Sequence, residues 1–317
     1  LDTHCDTPMF FGHNINFATR DPHIKVDLHK MSEGKQDATI MVAYLPQKER
    51  TDEALSAATA QADRLLNEIE EMVAMNCTAV DIAYTPNDLY RLKQNGKKAI
   101  MLGIENGYAI GKDIRNVARF RDRGVVYMTL CHNGNNDICG SARYNDTHEG
   151  VSKFGEQVIR EMNRVGMMID LSHAGEESFY DTLAISQEPV VCSHSSCRAL
   201  CDHPRNLTDD QLKAIARQGG VVQVCLYGGF LRKEGTATIC DAIEHLNHMV
   251  SLIGIEHVGI GTDFDGDGGI IGCNDSSELI NFTRRLLLER YDENAIRLIW
   301  GGNFLRVMEE VQRNGKR

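Results

Sequence analysis

The chain has 317 residues, of which 42% are hydrophobic and 25% charged, a composition typical of globular proteins that bury a large core. Its formal net charge of -11 argues against a nucleic-acid-binding surface, because phosphate binding needs clustered Lys and Arg side chains. The sequence has neither a lipid-anchor signal nor an apolar run of the roughly 20 residues that a membrane-spanning helix needs, so we expect no membrane span.

Short apolar runs rich in β-branched residues recur along the chain and predict eight β-strands. Their nearly continuous hydrophobicity indicates strands that are covered on both faces, as in a parallel sheet. The predicted strands are residues 1–4, 38–44, 99–104, 125–130, 167–171, 190–193, 221–226 and 258–261.

Amphipathic segments between these runs predict the helices that parallel strands need as connections. Thr208 and Gln211 form a capping-box pattern that begins a helix ending near Gly219. The first connection, between residues 5 and 37, carries Gly12 and Pro22 and is expected to be irregular. The other predicted helices are residues 53–75, 156–164, 242–252 and 278–289.

The alternation of strands and helices predicts an α/β fold, a single TIM-like (β/α)8 barrel. No repeat, low-complexity block or linker divides the chain, so we expect one domain over residues 1–317. An open doubly wound sheet remains an alternative, but it would not bring residues of the first and last strands together so readily.

Metal-ligating residue types follow the predicted strands, at the end where barrel enzymes place their catalytic groups. His4 and Asp6 point to the same side of a strand with a period of two. His173 and His194 each follow a serine at the ends of consecutive strands. The full set of these side chains is His4, Asp6, Glu105, His132, His173, His194 and Asp263.

Glu105 ends an apolar strand, where an unpaired carboxylate is costly. It either pairs with a basic side chain of the barrel or bridges two cations. Imidazoles and carboxylates without thiolates suit Zn²⁺, with Mn²⁺ or Co²⁺ as substitutes in vitro. Arg205 follows the sixth strand, where its guanidinium is either simply solvated or holds a carboxylate through two hydrogen bonds.

The ten cysteines lack the spacing of a disulfide framework, and we expect buried thiols in a reducing compartment, which favours a cytoplasmic location. Cys197 and Cys201 lie four residues apart, but no second pair completes a four-ligand site. The chain opens on Leu1 rather than Met, so we expect residues upstream, including any targeting peptide, to be missing.

Seven short strings, in this order, resemble the membrane dipeptidases, also called renal-type dipeptidases, nearly from end to end. They are DTHCD at 2–6, GIEN at 103–106, TLCHN at 129–133, MIDLSH at 168–173, SHSS at 193–196, RN at 205–206 and GTDFDG at 261–266. The resemblance implies a (β/α)8 barrel, two zinc ions per chain, dipeptide substrates and a homodimer. It departs from the mammalian members at Cys5, where they carry Asn, and in the missing lipid anchor.

The same resemblance implies residue roles. His4 and Asp6 would bind one zinc ion, His173 and His194 the other, and Glu105 would bridge the two. The residues implied to act on the substrate are His132 at the carbonyl, Arg205 at the free carboxylate, Asp263 in proton transfer and Tyr227 as a pocket wall.

Two other functions remain open on the sequence. A related amidohydrolase would act on a cyclic amide, a lactone or an amino-purine, but such enzymes usually carry His-x-His on the first strand, where this chain has His4 and Asp6. A barrel that binds metal or peptide without turnover is the second alternative, and retention of Asp263 beside every expected ligand argues against it.

Overall fold

Parallel strands separated by helices form the framework of the chain in a computed structural model, which describes residues 1–13, 15–144 and 149–315. Within these residues the strands are β1 (Asp2–Cys5), β2 (Ala38–Tyr44), β3 (Val80–Ile82), β4 (Lys98–Glu105), β5 (Val125–Thr129), β6 (Met168–Asp170), β7 (Val191–Cys192), β8 (Val221–Cys225) and β9 (Val258–Gly261). Eight of these strands pair in the order β1-β2-β4-β5-β6-β7-β8-β9, all parallel. The predicted (β/α)8 barrel is confirmed.

The two ends of this strand order meet. The backbone N–H of Asp263 donates to the carbonyl of His4 (3.0 Å), and the N–H of Asp6 donates to the carbonyl of Phe264 (2.8 Å). These bonds continue the parallel pattern just beyond β1 and β9, and they bring the first and last strands side by side, as a barrel requires.

Asp2 adds a buried side-chain link at this closure. Its carboxylate accepts hydrogen bonds from the backbone N–H and the hydroxyl of Thr262, both at 2.8 Å. We expect Asp2→Ala to lower the free energy of unfolding by about 2–4 kcal/mol, because both donors lose their buried acceptor. Urea unfolding with a chelator present measures the loss without a contribution from bound metal. Asp2→Asn, which retains an acceptor oxygen, should lose less; an equal loss would contradict this explanation.

Helices cover the outside of the barrel between successive strands. The Thr208 hydroxyl accepts from Gln211 N, and Gln211 Oε1 accepts from Thr208 N, which confirms the predicted capping box. Within the described part of the chain the helices are α1 (Leu28–Glu33), α2 (Asp52–Met75), α3 (Pro86–Gln94), α4 (Arg115–Asp122), α5 (Lys153–Val165), α6 (Glu176–Ile185), α7 (Asp209–Arg217), α8 (Gly228–Leu231), α9 (Ile239–Ile253), α10 (Leu279–Leu288), α11 (Glu293–Arg297) and α12 (Asn303–Asn314). Each of the described helices is too short or too polar to cross a bilayer.

The structure adds a short strand that the sequence did not predict. β3 pairs with residues Lys98 to Ile100 of β4, and β5 pairs with the same edge of β4 from Leu102 onward. β3 is therefore not one of the eight strands of the barrel. The first connection is largely irregular, as predicted, apart from a 3₁₀ turn (Thr7–Phe10) and the short α1.

The inside of the barrel is filled by alternate side chains of the strands. Met101 and Glu105 share one face of β4, because side chains two and four residues apart in a strand point the same way. Tyr127 of β5 reaches across this interior, with its hydroxyl 2.8 Å from Nδ1 of His4 on β1. Phe304 and Met308 of α12 join the same apolar cluster. The inner face of β4 therefore ends, at its carboxyl end, in Glu105.

Candidate active site

Four imidazoles surround one buried carboxylate at the carboxyl ends of the strands. Oε1 of Glu105 lies 3.1–3.9 Å from the Nε2 atoms of His4, His132, His173 and His194. The Nε2 atoms of His173 and His194 are themselves 3.1 Å apart. Side chains separated by up to 190 residues along the chain are thus collected around a single oxygen atom.

Two further carboxylates, Asp6 and Asp263, adjoin this cluster where β9 meets β1. Oδ2 of Asp6 lies 3.5 Å from Nε2 of His4. Ligand atoms within 4.8 Å of one another form three overlapping triads: His4–Asp6–Asp263, His4–Glu105–His194 and Glu105–His132–His173. His4 links the first triad to the second, and Glu105 links the second to the third, so the candidate ligands form one continuous group. This group includes His132 and Asp263, which the resemblance assigns to the substrate.

Three of the four imidazoles, those of His4, His173 and His194, are held through their Nδ1 atoms. Nδ1 of His194 lies 2.9 Å from the Ser193 hydroxyl, and Nδ1 of His173 lies 3.1 Å from Oδ1 of Asn133. The Tyr127 hydroxyl, close to Nδ1 of His4, donates to the carbonyl of Thr3 (2.9 Å), so Nδ1 is placed to donate to the phenol oxygen. Each Nε2 is left facing Glu105, as in metal-binding histidines.

Another buried carboxylate, that of Asp170, fixes the strands that precede these histidines. It accepts from the hydroxyls of Ser193 and Thr129, both at 2.6 Å, and from the backbone N–H groups of Ser193 (2.8 Å) and Ser172 (3.0 Å). These bonds tie the carboxyl ends of β5, β6 and β7 together, and so set the spacing between His173 and His194.

The backbone takes left-handed conformations at the site. His173 has φ of 73° and Asp263 has φ of 60°, a region that non-glycine residues rarely adopt. Such conformations cluster where the surrounding structure fixes a functional side chain. Gly266 allows a close approach of backbone to this site, since a Cβ there would lie 2.4 Å from Oδ1 of Asp263 and 2.5 Å from Oδ2 of Asp6.

The electrostatics of the cluster favour a charged Glu105 and neutral imidazoles on β6 and β7. Burial opposes ionisation of Glu105, but the facing imidazoles of His4 and His132 hold its pKa well below the ordinary value. Burial, reinforced by nearby positive charge, lowers the pKa of His173 and His194 well below the ordinary value. A carboxylate and neutral imidazoles are the protonation states in which these groups bind metal.

The donor atoms fit a divalent cation. Among the described residues, no hydrogen-bond partner reaches Nε2 of His4 or Oδ1 of Asp6, although both atoms are buried. An unsatisfied buried polar atom is costly, and a bound ion would satisfy both. The set contains imidazoles and carboxylates but no thiolate, which suits Zn²⁺.

A cavity of about 160 Å³ opens over this cluster and is lined by Arg205, Tyr227 and Asp263 as well as by the candidate ligands Asp6, Glu105, His132 and His173. Arg205 is 3% exposed and its Cζ lies 5.2 Å from the centre of the Phe230 ring. Within the described part of the chain its Nε and Nη2 atoms have no hydrogen-bond partner. A buried guanidinium with free donors is suited to an anionic ligand.

Every side chain that the sequence singled out therefore lies at this one site. The sequence did not single out Tyr44, Asn133, Arg143 and Asp267, which also line the cavity, or Asp170 and Tyr127 beneath it. Asn133 and Asp170 lie inside two of the short strings that carry the family resemblance. A search of those strings for hydrogen-bond partners of the histidines could have identified both residues.

The chain matches, over residues 1–317, a family model described as membrane dipeptidase, peptidase family M19. It is 32% identical over 332 residues to Dipeptidase verJ of Clonostachys rogersoniana, covering 98% of this chain and 84% of that protein. It is 30% identical over 324 residues to Dipeptidase 3 of Mus musculus, covering 98% of this chain but only 64% of the mouse protein. The crystal structure of the probable dipeptidase PvdM from Pseudomonas aeruginosa superposes with a TM-score of 0.93 at 27% identity, covering 99% of this chain and 96% of that one.

Proposed function

Because this chain belongs to the membrane dipeptidase family, peptidase family M19, we propose that it hydrolyses the peptide bond of dipeptides with two zinc ions. The observation that carries the proposal is the single carboxylate oxygen of Glu105 within 4 Å of four imidazole Nε2 atoms, beside Arg205, whose Nε and Nη2 atoms have no hydrogen-bond partner among the described residues. The proposed zinc ligands are His4 and Asp6 for one ion, His173 and His194 for the other, and Glu105 for both.

Bound zinc supplies two effects at such a site, a lowered pKa of water and polarisation of the substrate carbonyl. The protein's own groups supply the rest. Asp263 accepts the proton of the attacking water and returns it to the leaving amine. Burial, together with the charges of Asp6 and Glu105, raises the pKa of Asp263 well above its ordinary value, which suits a carboxyl group that carries a proton near neutral pH.

His132 and Arg205 orient the substrate in this proposal. His132 lies on the cavity wall, where its imidazole can donate to the carbonyl oxygen as negative charge develops there. Arg205 holds the free carboxylate of the substrate, and Tyr227 forms part of the wall beside it. The cavity of about 160 Å³ is small beside the roughly 300–1,000 Å³ of pockets for larger ligands, which favours a short substrate.

Fixing the free carboxylate also limits substrate length. A longer peptide has no carboxylate one residue beyond the scissile bond, so it cannot satisfy Arg205 while its carbonyl lies at Glu105. We expect Arg205→Ala to lower kcat/KM for dipeptides by about 100-fold, because a buried charged partner is lost. Arg205→Lys should recover only part of this, since an ammonium group lacks the two-pronged geometry.

C-terminally amidated dipeptides provide the control for the Arg205 prediction. Wild-type enzyme should hydrolyse them slowly, and Arg205→Ala should change that slow rate little, because the amide cannot make the charged contact. Steady-state kinetics on matched free and amidated substrates measure the difference. An equal loss on both substrates would contradict the assignment of Arg205.

The proposed function is tested by metal analysis combined with a dipeptide panel. We expect two zinc ions per chain and zinc-dependent release of free amino acids, with a cyclic amide and a lactone left intact. Turnover of the cyclic substrates alone would indicate another amidohydrolase, and two bound ions without any turnover would indicate a binding protein. We further propose that residues 1–317 act as one domain and that two chains form a homodimer, which light scattering tests.

A further inference from the structure

The candidate active-site cavity shares a wall with a larger cavity. Gly266 and Asp267, on the loop that follows β9, line both the cavity of about 160 Å³ and a neighbouring one of about 580 Å³. The backbone N–H of Asp267 donates to the carbonyl of Asp263 (3.3 Å), which ties this wall to the proposed catalytic carboxylate. Asp267 therefore lies at the boundary between the two cavities.

Asp267 is an exposed charge at this boundary. Within residues 1–13, 15–144 and 149–315, its carboxylate has no hydrogen bond or ion pair. Carboxylates pair with three of the basic side chains around the larger cavity: Glu33 with Arg20, Asp21 with His23, and Asp27 with Lys30. Lys25 Nζ donates to the uncharged carbonyl of Gly268. The carboxylates that line the larger cavity (Asp21, Asp265, Asp267 and Asp275) outnumber its lysines and arginines (Arg20, Lys25 and Lys30), so the lining is slightly acidic.

Arg205 and Tyr44 lie on opposite sides of the active-site cavity, and so do Arg143 and Asp267. Arg205 follows β7 and Arg143 follows β5, whereas Asp267 follows β9 and Tyr44 ends β2. In the order of the eight barrel strands, β7 is four places from β2, and β5 is four places from β9, so these pairs face each other. Tyr44 and Asp267 line the same cavity, and burial together with the charges of Glu105, Asp6 and Asp267 raises the pKa of Tyr44 to about 12.

This arrangement orients a dipeptide. With the C-terminal carboxylate at Arg205 and the scissile carbonyl at the Glu105 cluster, the N-terminal residue lies toward Tyr44. Asp267 follows a strand two places from β2 around the closed barrel, so it lies to one side of that residue. Resting on the dipeptidase function proposed above, we propose that Asp267 selects dipeptides whose N-terminal residue has a cationic side chain, Lys or Arg, and that this side chain extends past Asp267 into the larger cavity. The cavity has room for a long side chain, and the unpaired carboxylate attracts its charged end.

The test compares Lys-Xaa with Met-Xaa, two side chains of similar length that differ in charge, with Xaa the C-terminal residue that the wild type turns over fastest. We expect wild-type kcat/KM to favour Lys-Xaa by about two- to fivefold, the range of a partly exposed ion pair. Asp267→Asn should abolish this preference and leave Met-Xaa unchanged. Asp267→Lys should reverse it, so that Glu-Xaa is favoured over Lys-Xaa.

Asp210→Asn is the matched control, because it makes the same change in net charge at a side chain that is 86% exposed on α7. It should keep the preference for Lys-Xaa. Equal kcat/KM for Lys-Xaa and Met-Xaa in the wild type would overturn the inference but leave the dipeptidase function intact. An equal loss on both substrates in Asp267→Asn would overturn it as well, since Asp267 would then hold a group common to all dipeptides. Hydrolysis of neither substrate would overturn the proposed function, and this inference with it.

Discussion

Replacing Glu105 with glutamine is expected to lower the proposed dipeptide turnover by about a hundred- to a thousandfold and to reduce the zinc content of the purified protein. Glutamine keeps the size of the side chain but removes its negative charge. Four imidazole Nε2 atoms lie within 4 Å of one oxygen of this carboxylate. Two cations held side by side repel each other. Glu105 lies between the two pairs of proposed ligands, so its negative charge can offset this repulsion.

Metal analysis and kcat/KM on the same preparation check the Glu105 prediction, with circular dichroism to verify that the barrel is folded. Glu53→Gln is the matched control, because Glu53 is exposed in the first turn of α2, and it should retain both zinc and activity. Full zinc content with full activity in Glu105→Gln would rule out a bridging role. Loss of activity with both ions retained would restrict Glu105 to a role in catalysis.

Asp263→Asn is expected to lower kcat by about 10²–10⁴-fold while zinc content and KM stay near their wild-type values. Asparagine keeps the shape of the side chain but cannot carry a proton between water and the leaving amine. The Sγ atom of Cys225 lies 3.6 Å from Oδ2 of Asp263, so the side chain has a neighbour that holds its orientation in the variant also. The expected loss therefore reflects proton transfer rather than a displaced loop.

The alternative role of Asp263 is that of a metal ligand, since it forms a triad with His4 and Asp6. Steady-state kinetics and metal analysis separate the two roles. Loss of one zinc ion per chain in Asp263→Asn would assign Asp263 to the metal and contradict the proton-transfer role. Asp202→Asn, at an exposed side chain on the loop after β7, provides the control and should leave kcat unchanged.

The barrel strands could be predicted from the sequence because their apolar runs are long and nearly unbroken. β2 and β9 were predicted to the residue, and the other six lie within two residues of their predicted bounds. β3 could not be predicted in this way, because it is only three residues long and has Asp81 at its centre. α4 was not predicted either, because it is only eight residues long and largely polar, and its buried apolar side chains are those of Val117 and Phe120.

The sequence predicts those residues of the candidate site whose chemical type is unusual for their position. His4, Glu105 and Asp263 were recognisable because imidazoles and carboxylates are unexpected at the ends of apolar strands. Tyr127 was not, because an aromatic residue within an apolar run also fits the core, and only the fold brings its hydroxyl to His4. Asp267 lies in a loop, where a carboxylate needs no partner, so its place between two cavities depends on the three-dimensional structure.

Closure of the barrel joins Asp2 to Thr262, residues that are 260 positions apart. A growing polypeptide therefore carries the histidines of β1, β6 and β7 long before it has the strand that completes their enclosure. No amino-terminal fragment that stops short of β9 can bring Asp263 to His4, however well its own helices fold. Assembly of the complete candidate site thus depends on the last strand of the barrel, so a chain that ends before β9 lacks one of the site's walls.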